Sequence, residues 1–227
     1  MRRRSVLVTG GTGGLGGAVV AAFAQAGWRV VAAARSADAD AAGPVVPVRA
    51  DLTDAAAVDR AVAVAAGDPD APLRAVVNLV GGYAAGGRVH ETDVAEFERM
   101  MTLNLRPTHL VTRAALPHLI AAGGGAVVCV SSRAALAPFP GAAGYATAKA
   151  AVSAFAAAVA VEYRPFGVRC NTVVPGVIDT PANRAAQPDA DHGRWVDPAD
   201  IAPVIRFLAD DESAPTTGAV IPVYGRS

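Results

Sequence analysis

The chain has 227 residues, 20 of them basic and 20 acidic, with zero formal net charge and a mean hydropathy of +0.34. That length suits one large α/β domain spanning 1–227, and the arginines are spread along the chain apart from the first few residues, which excludes an electrostatic case for nucleic acid. Apolar residues make up 52%, yet no uninterrupted run reaches membrane-spanning length and glycines break the stretch behind "MRRR" too early for a secretory signal, so a soluble, cytoplasmic protein with small-molecule partners and no membrane partner is expected.

In chain order, "SVLVTG" at 5–10 reads as a first strand, followed by a glycine-rich turn and a helical pattern, "GAVVAAFAQAG", over 17–27. "RVVAAA" at 29–34 is the second strand. The segment "RSADADAAGP" at 35–44 is too short and too rich in Asp, Gly and Pro for a full helix, so a loop leads to the third strand, "VVPVRA", at 45–50. A helix over 54–67, the strand "RAVVNLV" at 74–80 and a long helical stretch from Asp93 to Gly123 come next. The remaining strands are "AVVCVSS" at 126–132, "VRCNTVV" at 168–174 and "AVIPVYG" at 219–225, with the alanine-rich helix of 145–164 between the first two. Glycines at the ends of the first helices suit left-handed caps. This βαβ rhythm predicts a Rossmann-like, doubly wound α/β fold, with a seven-stranded parallel sheet and helices on both faces.

In such sheets ligands bind beyond the carboxyl ends of the strands. The run "SVLVTGGTGGLGG" passes from strand through glycines into helix, the context in which backbone approaches a pyrophosphate and a helix N-terminus faces it. Cys129 and Cys170 sit inside β-like apolar runs and read as buried, inert thiols rather than a disulfide. His90, His109, His118 and His192 show no spacing with carboxylates or cysteines that defines a metal site, so no metal is expected.

Lys149 is the only lysine beside nineteen arginines. An ammonium is a compact point charge on a flexible stem, which a planar guanidinium does not replace; chance retention of one lysine is the alternative. Tyr145 lies four residues before Lys149, hence on the same helix face. A phenol titrates near 10, so a nearby cation that lowers this value would suit it to acid-base work at neutral pH. Ser132 ends a strand and can hydrogen-bond a reacting oxygen, while neighbouring Ser131 reads as structural. Asn104 lies mid-helix ahead of Pro107, where a local distortion is expected.

These motifs in this order resemble the short-chain dehydrogenase/reductase family, over nearly the whole chain. Thr9, Gly10, Gly14 and Gly16 match its T-G-x-x-x-G-x-G, "DLT" at Asp51 its adenine contact, and "NLVG" at Asn78 a variant of N-N-A-G with Leu79 and Val80 as departures. Asn104, Ser132, Tyr145 and Lys149 match its catalytic tetrad, and "PGVIDT" from Pro175 to Thr180 its nicotinamide-side motif. The resemblance implies an NAD(P)H-dependent oxidoreductase acting on a carbonyl or alcohol, with Tyr145 as general acid/base, Lys149 bonding the nicotinamide ribose and Asn104 holding a relay water; a tolerated surface asparagine is the other reading of Asn104. It implies cofactor contacts from Gly10, Thr12, Gly13, Gly14, Leu15, Gly16, Arg35, Ser36, Asp51, Leu52, Asn78, Val80, Gly81, Tyr145, Lys149, Pro175, Gly176, Ile178 and Thr180. Asp179 sits in a family motif whose carboxylate does no chemistry. A homo-oligomer, tetramer or dimer, is implied as well.

"GGYAAGG" at 81–87 and "DTPANRAAQPDADHGRW" at 179–195 are also similar to stretches of dihydropteridine reductase, which makes Tyr83, Asn183 and Trp195 candidates either for the substrate wall or for packing. That family lacks the catalytic serine that this chain has. A quinonoid dihydropteridine reductase-like activity and a non-catalytic dinucleotide sensor are the alternatives. For the cofactor, the residue that ends the second strand in NAD-preferring relatives is acidic and here is Ala34, while Arg35 and Ser36 suit a 2′-phosphate. NADP(H) is therefore expected over NAD(H), with Asp38 and Asp40 as opposing charges.

Overall fold

The computed structural model describes residues 3–36 and 43–226. Seven strands, β1 (Ser5–Thr9), β2 (Arg29–Ala34), β3 (Val45–Arg49), β4 (Leu73–Asn78), β5 (Gly125–Val130), β6 (Val168–Pro175) and β7 (Val220–Val223), form one sheet in the order β3-β2-β1-β4-β5-β6-β7. Every neighbouring pair is parallel. Successive side chains alternate between two cores. Leu7, Val31, Val76 and Val127 face one, and Val6, Val8, Val30, Val77 and Val128 face the other. A sheet covered on both faces needs near-continuous apolar strands, which is why these runs carry no polar alternation. Pro47 and Pro222 fall in β3 and β7, the two edge strands, where a missing N–H breaks no inner ladder.

Helices α1 (Gly14–Gln25) and α6 (Pro198–Ala209) cover one face; α2 (Ala55–Ala66), α3 (Val94–Ala121) and α4 (Ala143–Glu162) cover the other. A short α5 (Pro181–Ala186) follows β6. Asp54, Asp93, Thr180 and Asp197 cap the N-termini of α2, α3, α5 and α6 with side-chain oxygens. Gly27 and Gly123 adopt the expected left-handed conformation, at φ +79° and +80°. Gly67 does not: it ends α2 at φ −80°. At Asn104, where a distortion is expected, α3 stays helical and runs on through Pro107 and Pro117, with the Asn104 amide donating to Met100 O and the Thr108 hydroxyl to Asn104 O. Among the described residues no helix joins β2 to β3, and most of the expected loop there lies outside them.

One helix bears on the expectation that no uninterrupted apolar run spans a membrane: at 20 residues with mean hydropathy 1.4, α4 is long and apolar enough to span one, but Thr147, Lys149 and Ser153 interrupt it. Alanine sets that average. Its face formed by Ala148, Lys149, Val152, Ala156, Val159 and Ala160 is buried, most of it in the core shared with β5, β6 and α3, so the helix belongs to the sheet's cover.

Candidate active site

Strand order reverses between β1 and β4, and the motif residues collect at the carboxyl ends around that point. Thr9 ties the two strand ends together, because its hydroxyl donates to Val77 O and accepts from Leu79 N at 2.9 Å. Beyond it the chain turns through Gly10 at φ +70°, and Val80 packs over this glycine. A side chain at Gly16 would run into the backbone of Gly10 and Gly11, so the turn closes directly onto the start of α1. Thr12, Gly13 and Gly14 are exposed, Leu15 and Gly16 buried. The N-terminus of α1 has neither a side-chain cap nor an acidic residue in its first turn. A bare helix end behind a glycine turn fits a pyrophosphate, which supplies the missing acceptors and charge.

Arg35 and Ser36 are exposed beyond β2. Asp51 accepts from Thr53 N at 2.9 Å and from its hydroxyl at 2.8 Å; these bonds hold the carboxyl below its ordinary range, with a smaller contribution from the Arg35 charge. Arg35 and Asp51 therefore flank one site, where the adenosine end of a dinucleotide fits. Leu52 is core, leaving only its backbone for a ligand. The Asn78 side chain is also interior, at 3% exposure, and its amide donates to Thr112 Oγ1 at 3.0 Å and lies 3.8 Å from Cys129 Sγ. It braces β4 against α3 and β5 rather than reaching outward. Cys129 and Cys170 are buried free thiols.

The four residues expected as the tetrad fall into two pairs, Asn104 with Lys149 at Gly81 and Ser132 with Tyr145. Asn104 is fully buried; its Oδ1 accepts from Gly82 N at 3.2 Å, and its Nδ2 donates to Gly82 O at 3.0 Å and Met100 O at 2.9 Å. Lys149 Nζ donates to Val130 O at 3.1 Å, and Ser131 fixes the helix beside it by donating to Lys149 O at 2.7 Å. A methyl group on Gly81 would lie 2.6 Å from Asn104 Oδ1 and 2.9 Å from Lys149 Nζ, so the bare glycine lets the two polar heads approach the loop. Ser132 lies close enough to the Tyr145 hydroxyl to act on its titration, and the Tyr83 ring meets Tyr145 edge to face at 5.1 Å.

The electrostatics depart from the sequence reading. Burial raises the Tyr145 phenol above 10, Ser132 opposes this, and Lys149 is not among the groups that act on it. Burial also lowers Lys149 itself, to about 8, opposed by Cys129. An ammonium aimed at Val130 O in a 6%-exposed site is no solvated counter-charge for the phenol.

On the substrate side, Thr180 packs on Gly14 and caps α5, and Pro175 and Gly176 are joined to β7 through Gly176 N and Val223 O. Ile178 bridges Val196, closing the base of an excursion that contains α5. Asn183 turns back to donate to Ile178 O at 2.8 Å, and Asp179 pairs with Arg184. Trp195 packs on His192 at 4.4 Å. Of the three substrate candidates only Tyr83, 61% exposed, touches the tetrad. Sequence reasoning missed the brace formed by Thr108 and Thr112, which lie with Asn104 on one buried stripe of α3. Polar residues at four-residue spacing inside an apolar face are the signal for it. Among the described residues no three His, Cys, Asp or Glu side chains gather.

The sequence model of the short chain dehydrogenase family matches residues 4–191, and the chain belongs to that family. It is 33% identical to the 2-(R)-hydroxypropyl-CoM dehydrogenase of Xanthobacter autotrophicus, over 98% of this chain and 97% of that protein. It is 35% identical to a 2,5-dichloro-2,5-cyclohexadiene-1,4-diol dehydrogenase of Sphingobium indicum, over 96% and 94%. Among solved structures it is similar to ElxO with NADP bound (TM-score 0.90, 25% identity, 99% and 98% coverage). It is also similar to the NADH complex of a 3-ketoacyl-(acyl-carrier-protein) reductase of Brucella melitensis (TM-score 0.86, 28% identity, 99% and 98%). The chain is an NAD(P)-dependent oxidoreductase with small-molecule substrates. These full-length matches to dehydrogenases carry the assignment, and the pterin-reductase and sensor alternatives are not favoured.

Proposed function

We propose that the protein interconverts a secondary alcohol and its ketone, with Tyr145 as the proton-transferring group. The observation that carries this is the convergence of Ser132 on the Tyr145 hydroxyl and of Asn104 and Lys149 on the bare α-carbon of Gly81. When bound, the nicotinamide supplies or accepts the hydride. The chain's own residues handle the proton: Tyr145 gives it to or takes it from the substrate oxygen, and Ser132 hydrogen-bonds that oxygen as its charge changes. The Lys149 ammonium would hold the ribose hydroxyls of the cofactor, and Asn104 fixes the loop at Gly81 and Gly82 beside it through its bonds to Gly82. Both similar dehydrogenases are named for hydroxyls on ring or chain carbons, which supports the secondary-alcohol reading. An absorbance assay with secondary alcohols and both oxidised cofactors tests it: turnover that survives Tyr145→Phe overturns the assignment.

For the cofactor, the reading is NADP(H) over NAD(H). Ala34 offers no carboxylate at the end of β2, while Arg35 and Ser36 are exposed beside it. Asp38 and Asp40, the opposing charges, lie outside the described residues. Ala34→Asp should shift kcat/KM toward NADH and Arg35→Ala should weaken NADPH; an NADH preference in the native protein sinks this reading. The 227 residues act as one domain in a cytoplasmic homo-tetramer or dimer, packed through α3 and α4, whose outer groove presents His109, Phe155 and Tyr163. A monomer by light scattering at micromolar concentration excludes the oligomer.

A further inference from the structure

At the opposite end of the sheet from the tetrad, the amino ends of β4, β5 and β6 open into a cleft of about 560 Å³. Arg74, Arg164 and Arg169 line it together with a single carboxylate, Asp211. From this geometry we propose that the cleft binds a small phosphate-bearing molecule, a site separate from the dinucleotide crevice.

The charge balance carries the inference. Three guanidiniums against one carboxylate leave two positive charges in the lining, the complement of a phosphate dianion. The neighbouring carboxylate of Asp210 is already engaged, since Arg4 grips it with two bonds of 3.0 and 2.6 Å. Asp211 is 80% exposed and reaches Arg4 and Arg74 only at 3.7 and 3.9 Å, beyond charge-assisted hydrogen-bond length. It neutralises the cleft loosely. The Arg164 guanidinium has no hydrogen-bond or ion-pair partner among the described residues. Arg169 is fixed by Leu208 O and Asp210 O, both at 2.9 Å, and Arg74 by Ala122 O at 2.7 Å, so two of the three forks are set in place before any ligand arrives. Burial is the main cause of the lowered Arg169 value; Asp211 and Asp210 oppose it, and Arg74 adds a smaller depression. Like charges held together at a cleft favour an anion between them. The volume exceeds what one phosphate ion fills, leaving space for an organic group.

The test is calorimetric titration of the full chain with inorganic phosphate and, separately, glycerol 3-phosphate, alongside thermal melts in each and in KCl of equal ionic strength. Saturable binding is expected, with a rise in Tm of about 2–4 °C that KCl does not reproduce. Arg164→Ala removes an exposed side chain, so it should leave Tm in KCl unchanged and weaken phosphate binding about tenfold. Arg35→Ala, at the dinucleotide crevice, should leave it unchanged. Tighter binding of glycerol 3-phosphate supports an organic phosphate as the occupant, and equal binding supports the free ion. No saturable binding, equal stabilisation by KCl, unaltered binding in Arg164→Ala, or loss in Arg35→Ala overturns the proposal.

Discussion

Gly81→Ala is a test of the site that adds a single methyl group. The glycine has no positive φ, so alanine brings no backbone strain, and the added carbon would meet Asn104 Oδ1 at 2.6 Å and Lys149 Nζ at 2.9 Å. Real Cβ contacts essentially never fall below 3.0 Å, so the amide oxygen must retreat by about 0.4 Å or more. That movement loosens the reciprocal pair joining Asn104 to Gly82, at 3.2 and 3.0 Å. Two such bonds contribute about 1–3 kcal/mol in total. If that energy holds the loop where the reaction needs it, kcat/KM falls about ten- to a hundredfold, at about 1.4 kcal/mol per factor of ten. Gly86→Ala on the same loop is the control, because a methyl there meets nothing within 4 Å. Steady-state absorbance assays of both variants, with thermal melts to verify folding, decide the matter. A Gly81→Ala enzyme within twofold of native kcat/KM would refute the argument that this α-carbon is where Asn104 and Lys149 converge.

Tyr145→Phe removes one hydroxyl and little volume; kcat should drop about 10²- to 10⁴-fold while cofactor affinity, measured by fluorescence titration, stays within a few-fold. Lys149→Arg keeps the charge but forces a planar fork into a 6%-exposed site, and turnover should be abolished far more than folding is harmed; near-normal kcat would count against the sole lysine's role. With Lys149 titrating at about 8, its ammonium is present below that pH and lost above it, so kcat/KM should fall as pH rises through about 8, and a flat profile from 7 to 9.5 speaks against it. Stability carries the opposite sign. The folded chain gives up this proton before the unfolded one does, so the burial penalty is full below about 8 and is relieved between about 8 and 10.5. Comparative melts against Lys149→Met should show that pH slope only in the native protein.

The seven strands were legible because each is a short run of Val, Ala and Ile bounded by turn residues, and a sheet buried on both faces demands that composition. The placement of Tyr145 and Lys149 together on α4 was legible through their four-residue spacing. Contacts that depend on three elements meeting were not. Nothing local in the sequence shows that Asn78 turns inward to Thr112, or that Asn183 spends its amide on Ile178 O. Helices α5 and α6 were not delineated in advance, although Thr180 and Asp197 followed by proline at 181 and 198 form cap-and-N1 signals in each case.

The single lysine also acquires a physical reading that differs from the one spacing suggests. A four-residue separation from Tyr145 implies a cation tuning a phenol, yet the ammonium donates to Val130 O and leaves the phenol raised by burial. Moving Lys149 from 10.5 to about 8 corresponds to a net cost of about 3 kcal/mol, set by burial and opposed by Cys129. A guanidinium would be bulkier in this space and would keep its charge throughout the neutral range, so the site could not relieve the penalty by releasing a proton. An ammonium that is expensive to hold without a ligand gains most when hydroxyls arrive to accept from its remaining N–H groups. If the ammonium binds the ribose hydroxyls as proposed, part of that penalty is returned on binding, and cofactor affinity should then depend on Lys149 more than folding does.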